Sequence, residues 1–423
     1  MQPTWPYLTF DVPPIPGAIK RRAEDFRVEE VAAYDPCGSG DHVYALIEKT
    51  GVTTRQAVLA LGRALGVAPE RIGAAGRKDA RGIARQLLSV EGVEPSRVRA
   101  LALPGIRVID VARHRSKLRP GSLRGNRFIV RLRETPAARD VEVRDVLDCL
   151  ARRGVPNFFG PQRFGMRGDT WHVGRLLLAE EFGTAVAWVV GRPGPEDPPP
   201  VRRARELAAA GKYRESARTW PGGFADCARL CRAMVATGGE ARRAILRLDR
   251  SVLRFYISAY QAWLFNRVLA ERLPTFDRVL PGDIAWSHAT GLCTPVAELD
   301  SERPRAARFE ISPTGPIVGF AMSTPRDEAG AIEAKTLAEA GCSPHDLPRA
   351  GPLACVGTRR PLRFPLERLS LEPATDDLGR YLELRFTLPP GSYATVVLRE
   401  ICKDGLQEGV TEPEDAESAP GVN

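Results

Sequence analysis

From Asn126 to Arg133 the chain alternates with a period of two residues. Asn126, Phe128, Val130 and Leu132 fall on one face, and Arg127, Arg131 and Arg133 on the other. Side chains of a strand point alternately to the two sides of a sheet, so this spacing predicts an amphipathic strand with its apolar face covered. Strand and helix signals alternate around it. His42 to Lys49 reads as a strand with Val43, Ala45 and Ile47 inward. Thr53 caps a helix carrying Val58, Leu61 and Leu65, which ends at Gly66. Asp140 to Arg153 reads as a helix burying Val143, Val146, Leu147 and Leu150, closed by Gly154 and Pro156.

Beyond these elements the character of the chain changes. Arg192 to Pro200 holds five prolines and is expected to be a linker or surface loop. Ser251 to Arg272 reads as one long helix with Leu253, Ile257, Tyr260, Leu264 and Val268 along one side. Near the C-terminus, Leu382–Leu388 and Ala394–Arg399 read as two strands joined by Pro389-Pro390-Gly391-Ser392. The fold class is therefore α/β (α+β), with similar signals at both ends and a different middle. That pattern suggests a catalytic domain interrupted by an insertion. The segment 404–423 carries six acids and no Lys or Arg, and is expected to be a disordered tail.

Without that tail, 61 basic side chains face 46 acidic ones, a charge of about +15. Such a body favours polyanions, nucleic acid first. Of the basic residues 54 are Arg and seven Lys, a skew that a GC-rich genome would also produce. The eight cysteines include no CxxC pair, and the five histidines stand at no metal-ligand spacing, so no metal mechanism is indicated. The scattered thiols fit a reducing, cytoplasmic setting. The first twenty residues lack a signal-peptide pattern, and no apolar run approaches the roughly 18 residues of a membrane span.

Three segments could carry chemistry. Arg113 to Arg133 holds eight basic residues and no acid. Its Arg face is either a plain solvent face or a surface for phosphates, with Phe128 and Asn126 suited to a base. In Ala75-Gly76-Arg77-Lys78-Asp79 a single carboxylate sits among Arg77, Lys78, Arg81 and Arg85. These cations favour its ionised form, as a nucleophile or base would require; a surface charge cluster would look the same. Asn157-Phe158-Phe159-Gly160-Pro161-Gln162-Arg163-Phe164-Gly165 packs three aromatics into nine residues, either a pocket wall or a small aromatic core.

In this order the segments resemble the TruD family of pseudouridine synthases. The matching stretches are Glu24–Glu30, His42-Val43-Tyr44 with Glu48–Gly51, Ala75–Asp79 with Gln86, Gly125–Phe128, Asn157–Gly165, Gln261–Asn266 and Gly391–Glu400. The resemblance implies a pseudouridine-synthase catalytic fold with a mixed central sheet, in residues 1–156 and 366–403. It implies an inserted α/β TRUD domain in 157–365. The implied activity is isomerisation of uridine to pseudouridine in RNA, expected at uridine 13 of tRNA. Asp79 matches the catalytic aspartate and Asn126 the active-site asparagine. Phe26 and Tyr393 fall on base-contacting aromatic positions, Phe128 lies in the same motif as Asn126, and Lys20 takes a basic position. Lys78 is expected to join the substrate-binding set, and Arg124, Arg127, Arg131 and Arg163 to meet the RNA backbone.

The reaction breaks the C1′–N1 bond, turns the uracil and rejoins it through C5. Atoms and oxidation state balance, so no cofactor or metal is expected; the enzyme is expected to act as a monomer with no membrane partner. Ala80, Gly82, Ala84 and Arg85 depart from the family pattern after the aspartate, and Tyr393 stands where phenylalanine is common. These departures leave open a catalytically weak RNA-binding or RNA-remodelling member, or a synthase acting on another uridine.

Overall fold

The computed structural model describes residues 4–78 and 80–409. Asp79, the expected catalytic carboxylate, and residues 410–423, most of the expected tail, lie outside the described residues. The chain forms two compact units. Tyr7–Val155 and residues 364–409 make one; Pro156–Arg363, with residues 4–6, make the other.

The first unit is built on a ten-stranded sheet. Its main path runs Glu367–Asp376, Gly379–Leu388, Leu123–Arg133, Phe26–Ala32, Ile83–Glu91, His42–Thr50 and Ile106–His114. Phe26–Ala32 pairs parallel with Ile83–Glu91, while the other neighbours on this path are antiparallel, so the sheet is mixed. The alternating segment is the strand Leu123–Arg133, hydrogen-bonded on both sides. Asn126, Phe128, Val130 and Leu132 are all buried.

That buried face is covered at its two ends. The helix Thr54–Leu65 starts at Thr53, whose hydroxyl accepts from the Gln56 N–H, and stops at Gly66 with φ 70°. It packs Ala57, Leu61 and Leu65 onto Val43, Ala45, Ile47, Leu88 and Val90. At the other end the helices Asp140–Arg153 and Ala394–Cys402 pack together. A Cβ at Gly17 would fall 2.5 Å from Leu132 and 3.0 Å from Cys402, which places the second helix on the same face. The opposite face carries a charge ladder, with Arg85 to Glu48 at 2.8 Å and to Glu29 at 3.2 Å, and Arg107 to Glu48 at 2.7 Å.

Three expectations are corrected. Ala394–Arg399 is not a strand but part of the helix Ala394–Cys402. Valines favour strands locally, but Ala394, Val397, Leu398 and Ile401 are buried at helical spacing, and that tertiary burial decides. The proline-rich segment ends in a helix, Pro199–Ala209, with prolines in its first turn, where their missing N–H groups cost no intrahelical bond. The acidic segment is ordered at its start. Leu406–Glu408 pairs parallel with Gly17–Ile19, and Glu408 lies 3.5 Å from Lys20.

The second unit mixes helices with a small antiparallel sheet in the order Cys293–Pro295, Ile284–Ser287, Ile311–Ile317, Thr358–Pro361. Its long helix Arg250–Arg272 packs on Thr170–Leu178, where Gly174 admits the Tyr256 carbonyl; a Cβ there would lie 2.1 Å from that oxygen. Among the described residues, no helix is long and apolar enough to cross a membrane.

The central strand is locked at its end by charge. Arg133, 3% exposed, donates to Asp25 at 2.7 Å and to Asp376 at 2.7 and 2.9 Å; Asp25 is fully buried. Arg22 and Arg131 also reach Asp376. The hydrogen bonds from Arg133 hold the Asp376 carboxyl well below the usual carboxylate range. A depressed carboxylate stabilises the fold above its unfolded pKa of about 3.9 and loses that contribution as pH falls through the folded value. Asp376→Asn should therefore show a shallower decline of Tm below pH ~4 than the wild type, measured by circular dichroism. Asp25→Ala leaves a buried guanidinium short of its partner and should lower the unfolding free energy by about 3–5 kcal/mol in urea titrations.

Candidate active site

The registers set three polar side chains among apolar neighbours. Glu30 stands opposite Asn126, and Val28 opposite both Phe128 and Ala84. Gln86 stands opposite Ile47, two residues along from Ala84 on the same face. Gln86, Glu30 and Asn126 thus share the face that the helices cover only at its ends. A buried polar group costs free energy unless it is hydrogen-bonded. Here Gln86 Nε2 and Asn126 Oδ1 have no hydrogen-bond partner among the described residues, although Gln86 is fully buried and Asn126 is 8% exposed. One is a spare donor, the other a spare acceptor.

The backbone just before Asp79 is clamped onto this face. Thr54 Oγ1 accepts from the Lys78 N–H at 2.8 Å and donates to Gln86 Oε1 at 2.9 Å. The Lys78 carbonyl accepts from Lys49 Nζ at 3.1 Å and from the Thr54 N–H at 3.3 Å. The Lys78 ammonium is buried and lies 3.3 Å from Glu30. Burial pushes the Glu30 carboxyl up, and the positive charge of Lys78 opposes that shift. Both peptide groups and the side chain of residue 78 are therefore fixed, by the start of the helix Thr54–Leu65 and by Lys49 and Glu30 of the sheet. Gly82 closes the loop with φ 118°; a Cβ there would lie 2.3 Å from the Phe26 carbonyl oxygen, which only glycine avoids.

An aromatic layer adjoins the polar groups. Phe26 meets Phe128 edge-on with centroids 6.0 Å apart, and Phe128 meets Phe386 at 5.6 Å. Lys20, at φ 57°, sets its Nζ 4.8 Å from the Phe26 ring centre. Tyr393 is half exposed at the N-terminus of Ala394–Cys402, five residues after Leu388, the cross-strand partner of Asn126.

The expected backbone-binding arginines divide. Arg124 and Arg127 are exposed. Arg124 donates to the Ala33 carbonyl at 3.2 Å, and Arg127 lies 3.9 Å from Glu29. Arg131 is engaged with Asp376 at 3.2 Å. Arg163 belongs to the second unit, where it reaches Ser258 at 3.4 Å and lies over Phe159. Four residues carried no role in the sequence reading: Glu30, Lys49, Thr54 and Gln86. Lys49 had a signal, since it is the next inward position after Val43, Ala45 and Ile47, and a charge there breaks an apolar row.

Nearly the whole chain matches known proteins. The family description tRNA pseudouridine synthase D (TruD) fits residues 4–401. The chain belongs to this family. A relative from Geobacter sulfurreducens named tRNA pseudouridine synthase D is 46% identical over 399 residues, covering 94% of this chain and 96% of that one. A Geobacter metallireducens protein of the same name is 43% identical, with 94% and 98% covered. The crystal structure of a Methanosarcina mazei protein, provisionally described as tRNA pseudouridine synthase D, superposes with a TM-score of 0.83 at 26% identity, covering 94% of this chain and 96% of that one. Membership makes the chain a pseudouridine synthase, an isomerase, and it accounts for the mixed sheet and the seven ordered motifs together.

Thr54→Val removes the hydroxyl that ties Lys78 to Gln86. We expect kcat to fall about tenfold to a hundredfold with KM little changed, as displaced catalytic groups give. Stability should drop by about 1–3 kcal/mol for the unpaired groups left behind. Steady-state kinetics and urea unfolding measure the two effects.

Proposed function

We propose that this enzyme converts uridine 13 of tRNA to pseudouridine, with Asp79 as its catalytic carboxylate. The observation that carries the reading is the clamp on residue 78. Thr54 and Lys49 bond the two peptide groups of the residue preceding Asp79, and Gln86 accepts from the Thr54 hydroxyl, on the sheet face that also presents Asn126, Phe26 and Phe128. A nucleophile or base acts best when its backbone is held in advance.

The uracil must leave the RNA stack to react. Phe26 and Tyr393 supply ring faces for it, and Asn126 Oδ1, which lacks a partner among the described residues, can accept its N3–H. Phe128 backs the pocket, Lys20 lies against the Phe26 ring, and Lys78, buried against Glu30, fixes the segment before Asp79. The carboxylate either attacks C1′ or removes a sugar proton to give a glycal. In both cases the C1′–N1 bond breaks, the base turns, C5 bonds to C1′, and the C5 proton is lost as the N1 position gains one. The balance calls for no cofactor, and the enzyme works as a monomer on cytoplasmic tRNA.

The fold accommodates the departures after Asp79. Gly82 is required by the close approach of Phe26, Ala84 is buried in the sheet, and Arg85 is committed to Glu48 on the opposite face. Asp79→Asn should lower product formation by about a thousandfold or more, while the Kd for tRNA stays within a few-fold of the wild type. Carbodiimide mapping of tRNA treated with each protein reads the position. Wild-type turnover by the variant would remove Asp79 from its role, and product at another uridine would overturn the assignment of position 13.

A further inference from the structure

The cations near the catalytic loop sort into two sets. Those rooted in the sheet meet acids: Arg113 with Glu94 at 2.8 Å, Arg131 with Asp376 at 3.2 Å, Arg133 with Asp25 at 2.7 Å and Arg85 with Glu48 at 2.8 Å. Arg77, Arg115, Arg119 and Arg124 are exposed, and none has an acidic partner among the described residues. Three of the four stand in the connections that flank the sheet, and Arg124 stands at the start of its strand.

These connections are firmly joined. The Gly121 N–H donates to the Ala75 carbonyl at 2.8 Å, which ties the turn carrying Arg119 to the segment carrying Arg77. The Leu118 N–H donates to Ser89 Oγ at 2.9 Å, and its side chain is buried with Tyr44, Ala75 and Leu123. Gly73 lets the Leu118 carbonyl approach; a Cβ there would sit 2.2 Å from that oxygen. Lys117 is held by the Glu70 carbonyl, and Arg124 Nε by that of Ala33. The arginines stand on an anchored rim, exposed and without an acidic partner among the described residues.

We propose that Arg77, Arg119 and Arg124, with Arg115 beside them, form a binding site for the phosphodiester backbone of the RNA strand that presents the target uridine. The site rests on the proposed function, since Ala75–Lys78 leads directly into Asp79. Guanidinium groups suit phosphate oxygens in charge and in geometry. Fixed loops hold them in place before binding, so little ordering is required when RNA arrives. The rim takes over the phosphate contacts that the alternating strand offered in sequence, because Arg131 and Arg133 are already engaged by acids.

The test is the salt dependence of tRNA binding by the full-length enzyme carrying Arg77→Gln, Arg119→Gln and Arg124→Gln together. Each phosphate contact contributes about 0.7–0.9 to the slope of log K against log salt. The triple variant should lose about two to three units of slope and bind about tenfold to a hundredfold more weakly near 0.1 M salt. Its single-turnover rate should fall at low enzyme concentration and recover as enzyme is raised. Each single variant should lose about one unit of slope, a readout that stands if the triple variant folds poorly. Wild-type affinity and slope in the triple variant would overturn the site. So would weaker binding with an unchanged slope, which reports a structural change. Pseudouridine formed by the wild type in the same samples is scored separately, so failure of the enzymatic reading and failure of the rim are distinct results.

Discussion

The buried contact of Arg133 with Asp25 and Asp376 joins segments 108 and 243 residues apart in sequence. It ends the strand that carries Asn126 and Phe128, and it lies beside the start of the strand that carries Phe26 and Glu30. A slip of one residue in either strand would turn those side chains to the opposite face. Desolvating such charges costs free energy, and their net contribution to stability can be small. Its value here is positional, because a guanidinium with two carboxylates at fixed angles accepts one register. The placement of the site depends on that register more than on any contact within the site.

A similar expense recurs at the Lys78–Glu30 pair. An apolar pair would bury more cheaply. The ionic pair fixes the side chain of the residue before Asp79, while Thr54 and Lys49 fix its peptide groups. Gln86 Nε2 and Asn126 Oδ1 lack partners among the described residues, on the face to which the segment leading into Asp79 is held. Natural proteins satisfy most buried polar groups, and the proposed contact with uracil would use the Asn126 acceptor.

Much of this was legible in the sequence, for physical reasons that also explain the rest. The period of two at Asn126–Arg133 can be read because one face is buried and the other is not. The cap at Thr53 and the stop at Gly66 can be read because backbone groups at helix ends need specific residues. Ala394–Cys402 was misread because a window ending at Arg399 is too short to separate period 3.6 from a run of valines. The acid partners of Arg131 and Arg133 were invisible, since Asp25 and Asp376 reach them only through tertiary folding. The long-range pairing of charges therefore decided which arginines remained free, and local sequence carries no signal for that.

The residues after Asp79 show how a departure from a family pattern is read structurally. By pattern alone, Ala80, Gly82 and Ala84 look like a weakened motif. In the fold, Gly82 occupies a backbone region unfavourable to β-branched residues, pressed against the Phe26 carbonyl. Even the single Cβ of an alanine there would press on the strand that carries Phe26. Arg85 contributes on the far face, where it joins Glu29 to Glu48 across neighbouring strands. Restoring the family residue at Gly82 alone would therefore strain the loop rather than improve it.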